Sequence, residues 1–239
     1  MTIVAFGSVR GAPGVTTTAQ LVAAGLDGAV LVEADLGGGV MAVRYGLGRE
    51  PGLTTLAAAG SIGPDEWEDH AQSAGGVAVL VGPDSPDSAG SLWRRAGDRL
   101  AAVLDGSDVY VVADVGRLVG PTPLLGKASL LLVLVRPIAE HLVALSHRVD
   151  GLRRAVHPGT VGVVMVGDRP YGPDDVAGPL SIDVLGVLPD DRRAADLLTE
   201  GGRSARSFGR SRLARAATGL TGTIAGLIEP AGAHVGATR

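Results

Sequence analysis

Short apolar runs of Val, Leu, Ile and Ala recur along the chain, and Gly, Asp or Pro residues bound each run. The apolar positions are continuous rather than alternating, which is typical of strands buried on both faces of a sheet. The runs that predict strands are Ile3–Phe6, Ala29–Val32, Val77–Val81, Val109–Val112, Leu130–Val135, Val161–Val166 and Val184–Val187. Helical stretches separate them, so the pattern predicts βαβ units with right-handed crossovers.

This alternation predicts an α/β fold, a three-layer parallel sheet of about seven strands with helices on both faces. No stretch within residues 1–228 reads as a linker, so we expect one domain there. Residues 229–239 are expected to form a disordered tail. Ligands of such sheets bind at the carboxyl ends of the strands, and the candidate chemistry is therefore expected at that edge.

The composition narrows the class of protein. Apolar residues make up 46% of the chain and aromatic residues 3%, so the core must consist of aliphatic side chains. The net charge of -4 gives no global attraction to nucleic acid. The chain has no cysteine, which excludes disulfides and thiol nucleophiles. Met1 leads directly into a strand and no apolar run approaches the ~20 residues of a membrane span, so we expect a cytoplasmic protein.

A Gly-rich turn follows the first predicted strand. Residues 10–18 read Arg-Gly-Ala-Pro-Gly-Val-Thr-Thr-Thr and lead into a helical stretch. Converging backbone N–H groups and a helix N-terminus, expected to be capped by threonine, make such a segment an anion site. The usual phosphate loop ends Gly-Lys-Ser/Thr, with the lysine on the β- and γ-phosphates. Here Gly14 and Thr16 fit the pattern, but Val15 occupies the lysine position and Val9 occupies the first glycine position. The single lysine of the chain, Lys127, lies far along the sequence.

Acidic residues follow two of the predicted strands. Glu33 and Asp35 end the second run, and two carboxylates at this spacing point to the same side of a strand. Asp114 follows the fourth run, where phosphate-loop proteins hold Mg²⁺. Any one of these acids can equally be a loop cap. Their order, a Gly-rich loop, an acid pair and an acid, each after a buried strand, favours a nucleotide site.

These segments resemble the ParA/MinD branch of P-loop ATPases, whose deviant loop reads Lys-Gly-Gly-x-Gly-Lys-Thr-Thr. Residues 10–17 align with that loop without gaps, and residues 31–35 resemble the family's Asp-x-Asp motif. Residues 111–114 resemble its Mg²⁺-supporting strand end. Residues 132–137 resemble the strand before its effector helix, and residues 184–191 resemble the strand and loop beside the adenine. The similarity spans residues 2–228.

The resemblance implies a role for each matching residue. Asp35 falls on the water-activating carboxylate and Arg10 on the signature lysine that reaches across a nucleotide-sandwich dimer, so both are candidate catalytic residues. Thr16 and Asp114 are the candidate Mg²⁺ ligands. The candidate nucleotide-binding residues are Gly11, Ala12, Pro13, Gly14, Val15, Thr16, Thr17, Pro189 and Asp190. The implied cofactors are ATP and Mg²⁺, and the implied assembly is a homodimer.

The departures from the family pattern limit the expected activity. Losing a charged phosphate contact costs ~1.5–3 kcal/mol, so binding can survive through backbone amides, Thr16-held Mg²⁺ and Arg10, whereas fast hydrolysis is not expected. Arginine remains a permanent cation that binds phosphate in a fork. The asparagine that reads adenine in the family is absent from residues 166–169, which read Val-Gly-Asp-Arg.

Three functions stay open at this stage. The first is a spatial organiser that binds ATP-Mg²⁺ weakly, hydrolyses it slowly or not at all, and docks a protein partner of a partitioning, pilus or secretion system. The second is a pseudo-ATPase adaptor that binds partners without nucleotide. The third is a true, slow ATPase in which Arg10 replaces the lysine. The retention of Thr16, Asp35 and Asp114 argues against a fully decayed site.

The densest basic stretch leads into the last predicted helix and consists of Arg203, Arg206, Arg210, Arg212 and Arg215. It is either a surface for nucleic acid or anionic membrane, which would place the protein at the nucleoid or the membrane periphery, or a solvated loop. The helix itself, Ser211–Ile228, places Leu213, Ala217, Leu220, Ile224 and Leu227 on one stripe. It lacks the Lys and aromatic residues of membrane anchors, so we interpret it as a core element.

Overall fold

The computed structural model describes residues 3–11, 14–60, 63, 65–120, 122–199 and 208–228. The strands are β1 (Ile3–Ser8), β2 (Val30–Glu33), β3 (Gln72–Ala74), β4 (Val77–Leu80), β5 (Val111–Arg117), β6 (Leu130–Val135), β7 (Thr160–Val166) and β8 (Asp183–Leu188). The α-helices of this part of the chain are α1 (Val15–Gly25), α2 (Met41–Tyr45), α3 (Leu53–Ala58), α4 (Pro86–Gly106), α5 (Ala139–Ser146), α6 (Val149–Val156), α7 (Pro173–Leu180), α8 (Arg192–Thr199) and α9 (Arg212–Leu227). Short 3₁₀ helices cover Glu66–His70 and Leu125–Lys127.

The strands form one sheet in the order β3-β4-β2-β5-β1-β6-β7-β8. Every apolar run that predicted a strand forms one, and these strands pair in parallel. The expectation of a wholly parallel sheet is wrong at one edge, where β3 adds an eighth strand antiparallel to β4. This short edge strand has no apolar run because it is half-buried or exposed along its length, so hydrophobic patterning carries no signal for it.

Alternate residues of the strands face two apolar cores. In β1, Ile3 and Ala5 belong to one core while Val4 and Phe6 belong to the other. Helices α3 to α7 contribute buried side chains to the first core, and α1, α2, α8 and α9 contribute to the second. The expected three-layer α/β architecture is therefore confirmed.

The central position of β1 determines where the candidate site forms. Phe6 of β1 pairs with Asp114 of β5 on one side and with Leu132 of β6 on the other. The carboxyl ends of the parallel strands meet at one edge, so the loop after β1 lies between the ends of its neighbours. Asp114 lies within β5 rather than after it, because this strand begins and ends later than its apolar run predicts.

The last helix begins close to the predicted position. Ser211 is the N-cap of α9, and its hydroxyl accepts a hydrogen bond from the amide of Ala214 at 3.0 Å. Buried residues of the predicted stripe, among them Leu220 and Ile224, pack in the second core. Leu227 departs from the prediction, since it is 57% exposed at the end of the helix. No helix within the described ranges is both long enough and apolar enough to span a membrane. The predicted tail, 229–239, lies outside those ranges.

Candidate functional site

The Gly-rich loop connects β1 to α1 through two left-handed glycines. Gly11 has φ of 51° and Gly14 has φ of 85°, a region of backbone conformation that favours glycine. The hydroxyl of Ser8 donates a hydrogen bond of 3.0 Å to the carbonyl of Gly11. Gly14 is the N-cap of α1 and has no side chain that could accept a hydrogen bond. The expected threonine cap is therefore wrong, and no N-cap side chain bonds to the start of α1. The predicted loop residues Ala12 and Pro13 lie outside the part of the chain that the structure describes.

The residue at the lysine position packs inward. Val15 is 3% exposed and belongs to the second apolar core, although it also lines the cavity beside the loop. Its side chain provides apolar packing and no charge. Thr16 and Thr17, the next residues of α1, are half-buried and line the same cavity. The predicted loop residues that the structure describes are thus gathered at the start of α1.

A cavity of about 450 Å³ opens on the β5 and β2 side of this loop. The residues that line it are Ser8, Gly11, Gly14, Val15, Thr16, Thr17, Asp35, Leu36, Gly37, Arg44, Gly116, Arg117 and Val119. The loop residues and Asp35, distant in sequence, therefore meet at one cavity. Two arginines, Arg44 and Arg117, contribute positive charge. Backbone amides, arginines and a carboxylate on one wall suit an anion that binds together with a cation.

Asp114 lies buried at the base of the site and is 1% exposed. It accepts a hydrogen bond of 3.0 Å from the amide of Gly116, and the nearby hydroxyl of Thr16 acts to lower its pKa. Burial raises the pKa of Asp114 to about 6, and the charges of Asp35 and Glu33 act in the same direction. The carboxyl is still ionised at neutral pH. Hydroxyl and carboxylate oxygens are hard ligands, and a cation would offset the buried charge, so this pair fits Mg²⁺.

Asp35 is held at the cavity wall by its own loop and by a glycine of β5. Its Oδ1 atom accepts a hydrogen bond of 2.7 Å from the amide of Gly37. Gly116, with φ of 56°, lies directly against the Asp35 carboxyl, so a Cβ atom at this position would collide with it. The glycine therefore allows the carboxylate to approach the end of β5, close to the charge of Asp114.

Glu33 has a different environment from Asp35, although the spacing predicted that both would face the same site. It is 2% exposed, and its Oε1 atom accepts hydrogen bonds from the amides of Val40 at 2.5 Å and Met41 at 2.8 Å. Its Oε2 atom accepts from the amide of Gly82 at 3.0 Å. Burial raises the pKa of Glu33, and these three donors oppose that effect. Glu33 thus anchors the start of α2, and of the pair only Asp35 lines the cavity.

Sequence reasoning missed Arg44. It lies in α2, and its Nη1 atom donates a hydrogen bond of 3.4 Å to the hydroxyl of Thr17. A helix of five residues after a Gly-rich segment has no periodicity from which to predict it. Its placement against α1 depends on the Glu33 bonds, which hold the start of α2 to the end of β2.

A second cavity of about 200 Å³ lies on the β7 and β8 side of the loop and shares Gly14 and Thr17 with the first. The residues that line it are Gly14, Thr17, Thr18, Arg136, Val166, Leu188, Pro189, Asp190, Asp191, Arg192, Ala195 and Leu213. The predicted residues Pro189 and Asp190 are therefore brought to the loop. Asp190 forms an ion pair of 3.6 Å with Arg136, which follows β6.

Arg10 is exposed and lines neither of these two cavities. Its charge instead acts on His141 of α5, whose pKa is lowered by burial, by Arg136 and by Arg10. The arginine thus lies on the outer side of the loop, toward α5. The structure does not bring it to Asp35, its predicted catalytic companion, within one chain.

The basic stretch before α9 is only partly described. Arg210, Arg212 and Arg215 are exposed, and Arg215 donates a hydrogen bond of 2.9 Å to the carbonyl of Arg210. Arg203 and Arg206 lie outside the described residues. The described part is a solvated basic surface beside α9.

Comparison of the sequence with family models and with curated proteins gives no match. Solved structures do match. The cell division ATPase MinD of Pyrococcus furiosus has a TM-score of 0.75 at 18% identity, covering 95% of this chain and 99% of its own. A ParA family ATPase from Chlorobium tepidum has a TM-score of 0.75 at 15% identity, covering 92% and 97%. The septum site-determining protein MinD of Pyrococcus horikoshii, solved with Mg-ADP, has a TM-score of 0.70 at 16% identity, covering 92% and 94%.

These matches extend over nearly the whole chain and nearly the whole of each neighbour. At sequence identities of 15–18%, structural similarity shows the fold alone. The chain therefore has the ParA/MinD fold of P-loop ATPases.

Proposed function

We propose that this chain is a nucleotide-dependent spatial organiser of the MinD/ParA type, which binds ATP-Mg²⁺ weakly and hydrolyses it slowly or not at all. The observation that carries the proposal is the closeness of the Thr16 hydroxyl, at a cavity lined by the Gly-rich loop, to the buried carboxyl of Asp114. A buried, ionised carboxylate beside a hydroxyl at a helix start is an arrangement that a divalent cation with a polyphosphate stabilises. The Mg-ADP bound to the Pyrococcus horikoshii neighbour supports the same ligand class.

Each part of the site has a proposed task. The backbone of residues 11–17, Ala12 and Pro13 included, would cradle the phosphates at the start of α1. Thr16 and Asp114 would hold Mg²⁺, which when bound neutralises charge on the phosphate oxygens. Asp35, on the cavity wall, would orient and activate the attacking water. The second cavity, with Pro189 and Asp190, would receive the base.

Slow chemistry follows from the residue at the lysine position. Val15 is packed in the core and presents no positive charge to a terminal phosphate. Preorganised charge at that point contributes most where negative charge develops in the transition state, so its loss lowers the rate more than the affinity. Nucleotide occupancy would then act as a slow switch.

The proposed assembly is a homodimer with the nucleotide between two subunits. The outward position of Arg10 supports it, since an exposed cation beside the loop is available to a second chain. Exposed apolar side chains also support it: Val119, which lines the cavity, is 64% exposed, and Val43, next in sequence to the cavity-lining Arg44, is 90% exposed. Apolar side chains in such places are typical of protein–protein surfaces. The dimer would dock a partner of a partitioning, pilus or secretion system.

A second function, a pseudo-ATPase adaptor that binds partners without nucleotide, is favoured by one observation, the inward packing of Val15. A third, a slow ATPase in which Arg10 replaces the lysine, requires Arg10 to reach the site of a second chain. Binding of nucleic acid or anionic membrane through Arg210, Arg212 and Arg215 is an additional proposal that rests on their exposure.

Substitution of the Mg²⁺ residues separates these functions. ATP is titrated into wild type, Thr16→Ala and Asp114→Ala, with Mg²⁺ and with EDTA, and binding is measured by calorimetry. The organiser and the slow ATPase both predict binding to wild type that requires Mg²⁺ and is lost in both variants. Thr223→Ala, an exposed threonine of α9, is the matched control. Either variant binding like wild type contradicts the proposed site, and a wild type that binds no ATP supports the adaptor.

A further inference from the structure

The Gly-rich loop has no lysine, but arginine side chains supply positive charge to the cavity beside it. Arg44 lines the cavity, and its Nη1 atom lies 3.4 Å from the hydroxyl of Thr17, in the first turn of α1. The guanidinium is therefore already located at the helix start, where the anion site is proposed. It reaches this place from α2, a different element from the loop itself.

The position of Arg44 is determined by the core of the sheet. Glu33, the last residue of β2, accepts hydrogen bonds from the amides of Val40 and Met41 and so fixes the first residues of α2. A Cβ atom on Gly39 would collide with the Glu33 carboxyl, so the chain can approach this closely only as glycine. The amide of Arg44 donates to the carbonyl of Val40 at 2.9 Å. A buried carboxylate thus orients the helix that carries the cation.

Other cations near the strand ends have different partners or positions. Lys127 forms an ion pair of 3.2 Å with Asp105, and Arg136 pairs with Asp190. Arg117 lines the same cavity, but it is exposed at the end of β5, whereas Arg44 is half-buried and bonded to α1. Partial burial strengthens a charge-assisted contact, and the planar fork of arginine matches phosphate oxygens.

We propose that Arg44 replaces the missing loop lysine as the cation that binds the β- and γ-phosphates of the nucleotide. In the free protein its guanidinium rests on Thr17, and it exchanges this weak hydrogen bond for phosphate oxygens when nucleotide binds. This inference rests on the proposed nucleotide site. It differs from the family pattern in the origin of the charge, which comes from α2 across the cavity rather than from the loop.

The test compares variants that keep the shape of the side chain. Arg44→Gln retains a donor for Thr17 but has no charge, and Arg44→Met retains the apolar stem if the glutamine variant does not fold. Arg154→Gln, an exposed arginine of α6, is the matched control. Affinity for Mg-ATP is measured by calorimetry at low and high salt. We expect the Arg44 variant to lose tenfold to hundredfold in affinity and to show a weaker salt dependence, while the control is unchanged.

Two results overturn the inference while the proposed function survives. One is an Arg44 variant that binds Mg-ATP within about twofold of wild type. The other is a loss of equal size at low and high salt, because a purely structural contact does not depend on charge screening. A wild type that binds no Mg-ATP overturns the proposed function and this inference together, so the two failures are distinguishable.

Discussion

The buried carboxyl of Asp114 lies beside the hydroxyl of Thr16, at the end of the Gly-rich loop. This contact joins β5 to the first turn of α1, although the two elements are separated by about 85 residues of sequence. Burial disfavours the ionised carboxylate, and its pKa of about 6 expresses that cost. A buried acid with a raised pKa beside a cavity is typical of a functional site, where stability is reduced in favour of binding.

Asp114→Asn is therefore expected to stabilise the protein in the absence of Mg²⁺. The folded pKa of about 6 exceeds the ordinary 3.8, so the folded protein holds the proton more tightly. Well below the ordinary pKa of 3.8 both states are protonated, and the pKa difference contributes nothing to the comparison of wild type and variant. As the pH rises from about 4 to about 6 the wild type loses up to about 3 kcal/mol of its free energy of unfolding, which the asparagine variant keeps.

Urea unfolding in EDTA across this pH range measures that difference. Mg²⁺-dependent ATP binding should be lost in the same variant, since the amide removes the charge that the cation requires. Asp105→Asn is the control, because it makes the same substitution outside the site, at an aspartate that pairs with Lys127. An asparagine variant at position 114 that is less stable than wild type at pH 7.5 would show that the carboxylate stabilises the fold.

Glu33→Ala is expected to loosen α2. The amides of Val40, Met41 and Gly82 lose their shared acceptor, and unsatisfied buried donors cost about 1–3 kcal/mol each before water or the chain relaxes around them. We expect a loss of at least about 2 kcal/mol in the free energy of unfolding. Hydrogen exchange at the three amides should accelerate. Glu68→Ala, at an exposed position, should leave both measurements unchanged, and unchanged exchange in the Glu33 variant would refute the anchoring role.

Gly116→Ala is expected to displace Asp35. The new Cβ atom would collide with the Asp35 carboxyl, and the backbone at φ of 56° disfavours alanine by about 1–2 kcal/mol. The variant should lose ATP hydrolysis, if wild type shows any, and weaken Mg-ATP binding. Gly120→Ala is the matched control, because no atom lies within 4 Å of the Cβ position there. Equal binding and hydrolysis in both variants would show that Asp35 does not need its observed position.

Val15→Lys restores the lysine of the usual loop. It should raise Mg-ATP affinity by about tenfold or more, because one charge-assisted phosphate contact contributes a free energy of that size. The cost is the loss of apolar packing at a position where Val15 is 3% exposed, at least about 1.5–3 kcal/mol of stability. Ala24→Lys is the matched control, because it adds the same charge at an exposed position of α1. Calorimetry and thermal unfolding measure the two effects. A folded Val15 variant with no gain in affinity would indicate that the loop does not receive phosphate.

Much of the fold could be predicted because its strands are buried on both faces. A continuous apolar run such as Leu130–Val135 is typical of a strand that is buried on both faces. The alternation of such runs with helices predicts a parallel sheet. The edge strand Gln72–Ala74 could not be predicted, since its residues are half-buried or exposed. The antiparallel pairing depends on contact with β4, which no local pattern encodes.

The candidate site was predictable where a local motif carries it. The loop residues and Asp35 meet at one cavity, because each directly follows a strand at the same sheet edge. Glu33 and Arg44 were not predictable in the same way. Their positions depend on hydrogen bonds to residues of other elements, including Gly82, 49 positions from Glu33. Spacing along a strand gives the direction of a side chain but not the partner that it meets.

The most direct test of the central claim is a calorimetric titration of ATP into the wild-type protein with Mg²⁺ and with EDTA, together with light scattering in the same buffers. We predict saturable binding that requires Mg²⁺ and is accompanied by a shift of molar mass from one chain to two. The absence of binding at millimolar ATP, with an unchanged molar mass, would contradict the nucleotide switch and identify the chain as an adaptor on a P-loop scaffold.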